Sequence, residues 1–328
     1  MALSATAGTR TQVSSINVSI GSLPRRINRL LRNTDGVRTE RLRWYAFPLL
    51  ARLTPLVGVE HDGVRYVVGT RGDRAVGYST FVNGSFEKET LRRMLLALSR
   101  QGITTLRGMT VLEIGANIGT ETVSLLSHHG VELVVAFEPD ADNARMLRAN
   151  LALNGLDRRA EVHEIALSDV DATLMLERSA ENCGDHRIRV VDAHGPDLFN
   201  ESDRSVVEVS ARSIDSLVES GELDLDAVDL VWMDAQGHEG HVLAGARKLI
   251  AAGIPVLTEY WPYGLNRAGG LDRFHTAVAE GYSTVIDLRS NHDEPPVTLP
   301  ADRVAELAER YSEEFLSYSD LVLIPRSR

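Results

Sequence analysis

The run VLEIGANIGTETVSLLS at residues 111–127 constrains the fold more than any other part of this 328-residue chain. An apolar stretch, Val111 to Ile114, meets the bend Gly115-Ala116-Asn117-Ile118-Gly119, and Thr120 then opens a segment with helical spacing. Small residues allow so tight a turn, and the unpaired N–H groups at the start of the following helix face whatever lies on the bend. A strand, a glycine turn and a helix in this order form the repeating unit of a parallel α/β sheet, in which ligands sit beyond the carboxyl ends of the strands.

The rest of the chain repeats that unit. Strands are expected at 110–115, 132–138, 161–167, 228–234 and 254–259, with helices near 119–129, 141–153, 238–251 and 271–280. YSTVIDL and DLVLIP, with a helix at 301–316 between them, suit an antiparallel edge. The fold class is α/β, a doubly wound, Rossmann-like and mostly parallel sheet. Before it, VEHDGVRYVVGTRGDRAVGYSTF alternates Val and Tyr with polar residues between glycine turns and is expected to form short strands. FEKETLRRMLLALSRQG is expected to be a helix ending at Gly102. Three parts are therefore expected: an arm over 1–34, an α/β preface over 35–108, and the main domain over 109–328.

Charge narrows the partners. The chain carries a net −11, yet residues 1–34 hold five arginines and no acid, which leaves 30 basic against 46 acidic residues, or −16, for the remainder. So acidic a body repels phosphate backbones, and a nucleic-acid partner is not expected. SLPRRINRLLRN in the arm is a basic amphipathic candidate helix, read as a surface arm or an oligomer contact rather than a membrane anchor. A single cysteine, Cys183, excludes an intrachain disulfide and suits a reducing compartment. With no apolar run of membrane-spanning length, a cytoplasmic location is expected.

A second signal sharpens the first. The strand VVAFEPD ends at Glu138, nineteen residues past Gly119, where doubly wound folds place an acid against ribose hydroxyls. Together the bend and the acid indicate an adenosine-containing cofactor. The bend also discriminates among cofactors: its spacing is not G-x-G-x-x-G, and Glu121 at the helix start would repel a diphosphate. S-adenosyl-L-methionine (SAM) carries a sulfonium cation and no phosphate, so it suits a neighbourhood holding Glu113, Glu138 and Asp234.

Taken in order, EIGANIGT, AFEPD, Asn150 with Asn154 in ANLALNGL, ALSD and MDAQGHE resemble the FkbM family of SAM-dependent methyltransferases over about residues 85–260. The resemblance implies a class I methyltransferase fold, with a seven-stranded sheet whose last strand is antiparallel. It also implies O-methylation of a small hydroxylated acceptor, commonly a sugar, polyketide or other natural product. Carried over by position, Gly115, Ala116, Asn117 and Gly119 would frame the methionine part, Glu138 with Pro139 the ribose, and Ala166 and Leu167 the adenine, while Asp234 ends the fourth strand. The family often has D-V-E-G there. This chain has Asp234-Ala235-Gln236-Gly237, so no charged role passes to Gln236.

Methyl transfer to an alcohol calls for a base within hydrogen-bonding reach. Asp234, His238 and Glu259 are the candidates, since the ends of the fourth and fifth strands open toward the donor's methyl group; His238 also reads as a solvent-facing helix-start residue, Glu259 as an ion-paired one, and Asp234 as an acid that orients the substrate or sulfonium rather than taking a proton. Trp261 and Tyr263 after the fifth strand suit a pocket wall, Tyr260 suits core packing, and Asn182 and His186 in ENCGDHRI are acceptor-side candidates. Glu87 matches a position where family members often carry an acid near the cofactor. Asp234 and Glu259 alone lack a third ligand at a convincing spacing, so no metal is expected. An RNA methyltransferase, a non-catalytic SAM-binding scaffold and, more distantly, a nicotinamide dehydrogenase are the competing readings, and a homo-oligomer is compatible with all of them.

Overall fold

A computed structural model describes residues 36–85, 88–190, 198–289, 294–311 and 317–326. The chain divides into two units, Met1–Leu42 and Arg43–Arg328. The expected basic helix of the arm, and Glu87, lie outside the described residues.

The main sheet contains eight strands: β3 (Thr110–Ile114), β4 (Leu133–Phe137), β5 (Ala160–His163), β10 (Leu230–Met233), β11 (Val256–Tyr260), β12 (Tyr282–Asp287), β13 (Val297–Pro300) and β14 (Ser319–Pro325). Their order is β13-β12-β14-β11-β10-β3-β4-β5. The run from β5 to β11 is parallel, β14 is antiparallel to both its neighbours, and β13 adds an antiparallel edge to the expected seven. The chain reverses direction in the sheet order between β3 and β10, and the crevice at that switch point is where such sheets bind ligands.

The central strands are mostly apolar, Glu113 and Glu259 near their carboxyl ends apart, because helices cover both faces. Val111, Val134, Ala136 and Trp232 pack on one side with Met94, Leu98, Val123 and Leu147. Their alternate neighbours Leu112, Val135, Val231 and Met233 pack on the other with Val242, Leu249, Phe274 and Val278. Successive residues of one strand thus feed two cores.

Several elements differ from expectation. The strand expected at 161–167 breaks after His163, and Ala166–Leu167 (β6) joins a second, four-stranded sheet with β7 (Ala172–Arg178), β8 (Arg187–Ile188) and β9 (Ser205–Arg212). The helix expected over 238–251 is two, Glu239–Ala244 and Arg247–Ala252. At the break, Gly245 lies so close to the 168–169 backbone that an added Cβ would sit 2.2 Å from the Ser168 carbonyl oxygen. VGYSTFVN is a helix, Val76–Asn83, not a strand. Val76, Gly77, Thr80, Phe81 and Val82 are all buried, and only Ser79 and Asn83, one turn apart, give it a polar side, too short a stripe to mark an amphipathic helix. Between 301 and 311 only Glu306–Tyr311 is α-helical.

The preface begins with the helix Gly36–Leu53 and the hairpin β1 (Leu56–His61) and β2 (Val64–Gly69), joined at Asp62 and Gly63, both with positive φ. Two asparagines of the helix Ala141–Leu153 and its C-cap hold this hairpin. Asn150 Oδ1 accepts from Val67 N at 2.7 Å, Asn154 Oδ1 accepts from Arg65 N at 2.9 Å, and Asn154 Nδ2 donates to the Arg65 carbonyl at 2.7 Å. Asn150 Nδ2 also donates to the Ile118 carbonyl at 2.8 Å, tying the preface to the glycine bend.

Candidate active site

The bend after β3 is built so that few residues other than those present would fit. Gly115 has φ 84°, and a Cβ there would lie 1.8 Å from the Asp234 carbonyl oxygen, so the ends of β3 and β10 touch backbone to backbone. Asn117 is left-handed at φ 50°, and Gly119 at φ 82° packs against Leu147. Glu138 locks the bend from the next strand: its Oε2 accepts from Asn117 N and its Oε1 from Asp140 N, each at 2.8 Å. Burial pushes this carboxyl up to about 7. Glu113 is buried beneath the bend, accepts from Thr122 Oγ1 at 2.6 Å, and is pushed up to about 8, chiefly by burial.

These groups open onto a cavity of about 260 Å³. Its wall includes the carboxylates Glu113, Glu121, Glu138, Asp234 and Glu259 and, among the described residues, no lysine or arginine. Phe137, Ile165, Ala166, Leu167 and Ile188 supply an apolar section. An acidic wall beside an apolar slot fits a cationic sulfonium and ammonium joined to an adenine, and it disfavours a diphosphate.

Gly115, Asn117, Pro139, Asn182, His186 and His238 also line this cavity, while Ala116 and Gly119 shape the bend. His238 is buried, its Nε2 2.9 Å from Ser168 Oγ, and its ring stacks on His241 at 4.5 Å. Burial pushes it down to about 3, so it stays neutral. Asn182 Oδ1 accepts from Gly184 N at 2.9 Å, and His186 Nδ1 accepts from Ser179 N at 3.1 Å. Trp261 lines a neighbouring cavity of about 530 Å³. Tyr263 stands behind it at 5.1 Å and donates its hydroxyl to Glu201 at 2.8 Å; Tyr260 is fully buried in the core.

Several residues at or beside the site were not singled out in the sequence. Arg187 lies over the rings of Phe199 (4.8 Å) and Trp261 (4.6 Å) and pairs with Glu201 at 2.9 Å. Tyr318 comes from the far end of the chain. Glu239, five residues past Asp234, brings a third carboxylate to within 4.8 Å of Asp234 and Glu259. Cys183 Sγ lies 3.2 Å from Asp73 Oδ2 and 3.4 Å from Asn117 Oδ1, two acceptors for its single S–H, and burial pushes its thiol well up. It is a packed cysteine, not an activated one.

The switch-point crevice after β3, the reversed strand β14 and the acid that follows β4 are the features expected above of a class I methyltransferase fold. The chain belongs to the FkbM methyltransferase family: residues 113–283, just over half of it, match the methyltransferase FkbM domain. It is 28% identical over 159 residues to the 2-O-methyltransferase NoeI of Sinorhizobium fredii, covering 46% of this chain and 62% of that protein, so the match spans less than two thirds of that relative. Among solved structures it is similar to methyltransferase FkbM from Methylobacillus flagellatus (18% identity, TM-score 0.41, covering 68% of this chain and 46% of that one). It is also similar to an O-methyltransferase from Bacillus cereus in complex with SAH (13% identity, TM-score 0.39, covering 92% and 96%). No described helix is long and apolar enough to cross a membrane.

Proposed function

We propose that this chain transfers the methyl group of SAM to a hydroxyl of a small metabolite such as a sugar or polyketide, held in the 530 Å³ cavity. The observation that carries the reading is a shared wall: Asn182, Gln236, Glu259 and Tyr318 line both this cavity and the acidic one, so the two meet at those four side chains. A methyl donor in the first and a hydroxyl in the second would come together there. The name of the Sinorhizobium relative, a 2-O-methyltransferase, supports oxygen as the acceptor atom.

SAM supplies an electrophilic methyl on a sulfonium cation. The chain's own residues do the rest. Glu138, whose two oxygens each keep a lone pair beyond the bonds to Asn117 and Asp140, takes the ribose hydroxyls. Asp234 faces the donor's positive charge, and a bound sulfonium would draw the raised Glu113 carboxyl toward its ionised form. Glu259 at the junction accepts the hydroxyl proton as the oxygen attacks, and neutral His238 borders the adenine beside Ser168 rather than acting as the base. Holding donor and acceptor in line is worth at best about 7–11 kcal/mol, so most of the catalysis is positioning.

Incubation with methyl-labelled SAM and metabolite extracts tests this. Label is expected in a base-stable ether on a small molecule, and Glu259→Gln is expected to lower transfer by at least a hundredfold while SAM affinity stays within a few-fold. Label in RNA, in protein or in a base-labile ester contradicts it.

A further inference from the structure

The carboxylates of Asp234, Glu239 and Glu259 each place an oxygen within 4.8 Å of the other two. Three oxygen ligands at that spacing are what a hard divalent cation binds. In this chain each acid already has a partner on at least one oxygen, while the buried Glu239 Oε2 has none among the described residues. Gln236 Nε2 donates to Asp234 Oδ1 at 2.7 Å and to Glu259 Oε2 at 3.3 Å, so one amide nitrogen spans both carboxylates. Glu239 Oε1 accepts from Ala235 N at 2.8 Å and Gly237 N at 3.2 Å, which braces the turn that carries the glutamine. That turn is a committed one. Gln236 sits in the left-handed region at φ 51°, which residues with a side chain rarely adopt, and Gly237 at φ 96° presses so close to Gly264 that a Cβ would lie 2.6 Å from its carbonyl carbon.

Resting on the donor and acceptor placement above, we propose that Gln236 is a positioning residue that stands where a divalent cation would otherwise be needed, clamping Asp234 and Glu259 at the junction of the two cavities. A side-chain amide offers two N–H donors and no charge, so it can satisfy two carboxylates at once without adding positive charge beside a sulfonium. The arrangement holds Glu259 toward the acceptor and Asp234 toward the donor. A cation entering this cluster would have to displace the amide, so the wild-type protein resists divalent metals.

Exchanging the donor for an acceptor reverses that. Gln236→Glu keeps the length of the side chain and sets a fourth carboxylate among the three. Gln236→Asn suits the left-handed turn but is too short to span both acids. Titration with Mn²⁺ alone, followed by electron paramagnetic resonance at pH 8, is expected to show that Gln236→Glu binds the ion at least tenfold more tightly than the wild type. The gain should vanish in Gln236→Glu combined with Glu259→Gln, and Gln236→Asn should fall between. A glutamine that only shapes the turn leaves Gln236→Asn with the wild type's Mn²⁺ affinity and methyl-transfer rate, and that result, or wild-type binding as tight as that of Gln236→Glu, overturns the proposal. SAM calorimetry on the same samples separates the two claims: a wild type that binds no SAM defeats the donor reading while the Mn²⁺ comparison still decides the role of Gln236.

Discussion

Replacing Glu138 with alanine removes one carboxylate that does two things. In the free protein it accepts the N–H groups of Asn117 and Asp140, each at 2.8 Å, from a site only 5% exposed. Without it those donors lose their partner, at about 1–3 kcal/mol each. Hydration of the widened cavity would recover part of that, so a net loss of about 2 kcal/mol is expected, read as a fall in melting temperature of roughly 4–8 °C at about 2–4 °C per kcal/mol for a domain of this size. In the complex at pH 8, above the value of about 7, the ribose hydroxyls also lose an ionised acceptor. Hydrogen bonds to a charged group are worth about 1.5–3 kcal/mol, so SAM affinity is expected to drop by at least a hundredfold, near 3 kcal/mol. Calorimetry measures the affinity and scanning calorimetry the stability. Glu138→Asp, which keeps the charge at a shorter reach, should lose less of both. A Glu138→Ala protein that is folded and binds SAM within twofold of the wild type refutes the reasoning, because it separates the acid from the ligand altogether.

Two further outcomes follow from the same geometry. Glu113 at about 8, and Glu138, Glu239 and Asp320 at about 7, are all raised above their ordinary values of 3.8 to 4.5 by burial. Their contribution to stability is therefore complete below about pH 4 and is lost as pH rises through 7 to 8. The free protein should melt at a lower temperature at pH 9 than at pH 6, and the stabilisation by cationic SAM should grow over that interval; a free-protein melting temperature that rises with pH contradicts this. Asn150→Ala strips the Val67 N–H and the Ile118 carbonyl of their partners inside a fully buried contact, at a cost of about 1–3 kcal/mol. Scanning calorimetry should show a loss of several degrees, and hydrogen exchange should show faster opening at Val67 than in the strands of the main sheet.

The parts legible in the sequence were those whose local pattern and tertiary role agree. The bend at 115–119 needs its glycines for a backbone contact that nothing else fits, and Glu138 falls where strand length and helix length place it. YSTVIDL and DLVLIP pair antiparallel as expected, with Asp287 against Leu321 in the register. Where local preference and tertiary setting part, the pattern misled. Val76–Asn83 carries Val, Tyr, Thr and Phe, residues that favour strands, and folds as a helix because it is enclosed on nearly all sides. The sheet built from residues 166–212 has half-exposed strands such as Ala172–Arg178, whose alternation is too weak to announce a strand. Glu239 and Tyr318 join the site through turn geometry and the pairing of distant strands, which no spacing rule reveals. The Asn150 and Asn154 pair stood out as a motif, and only the structure gives its purpose, as a clasp for the preface hairpin.

Diffraction from crystals grown with S-adenosylhomocysteine is the most direct measurement. The product should lie with its ribose diol on the Glu138 carboxylate, its amino-acid end along 115–119 and its sulfur facing the opening shared by Gln236 and Glu259. Density for the nucleoside at any other place, with the 138 carboxylate making no bond to it, would contradict the account.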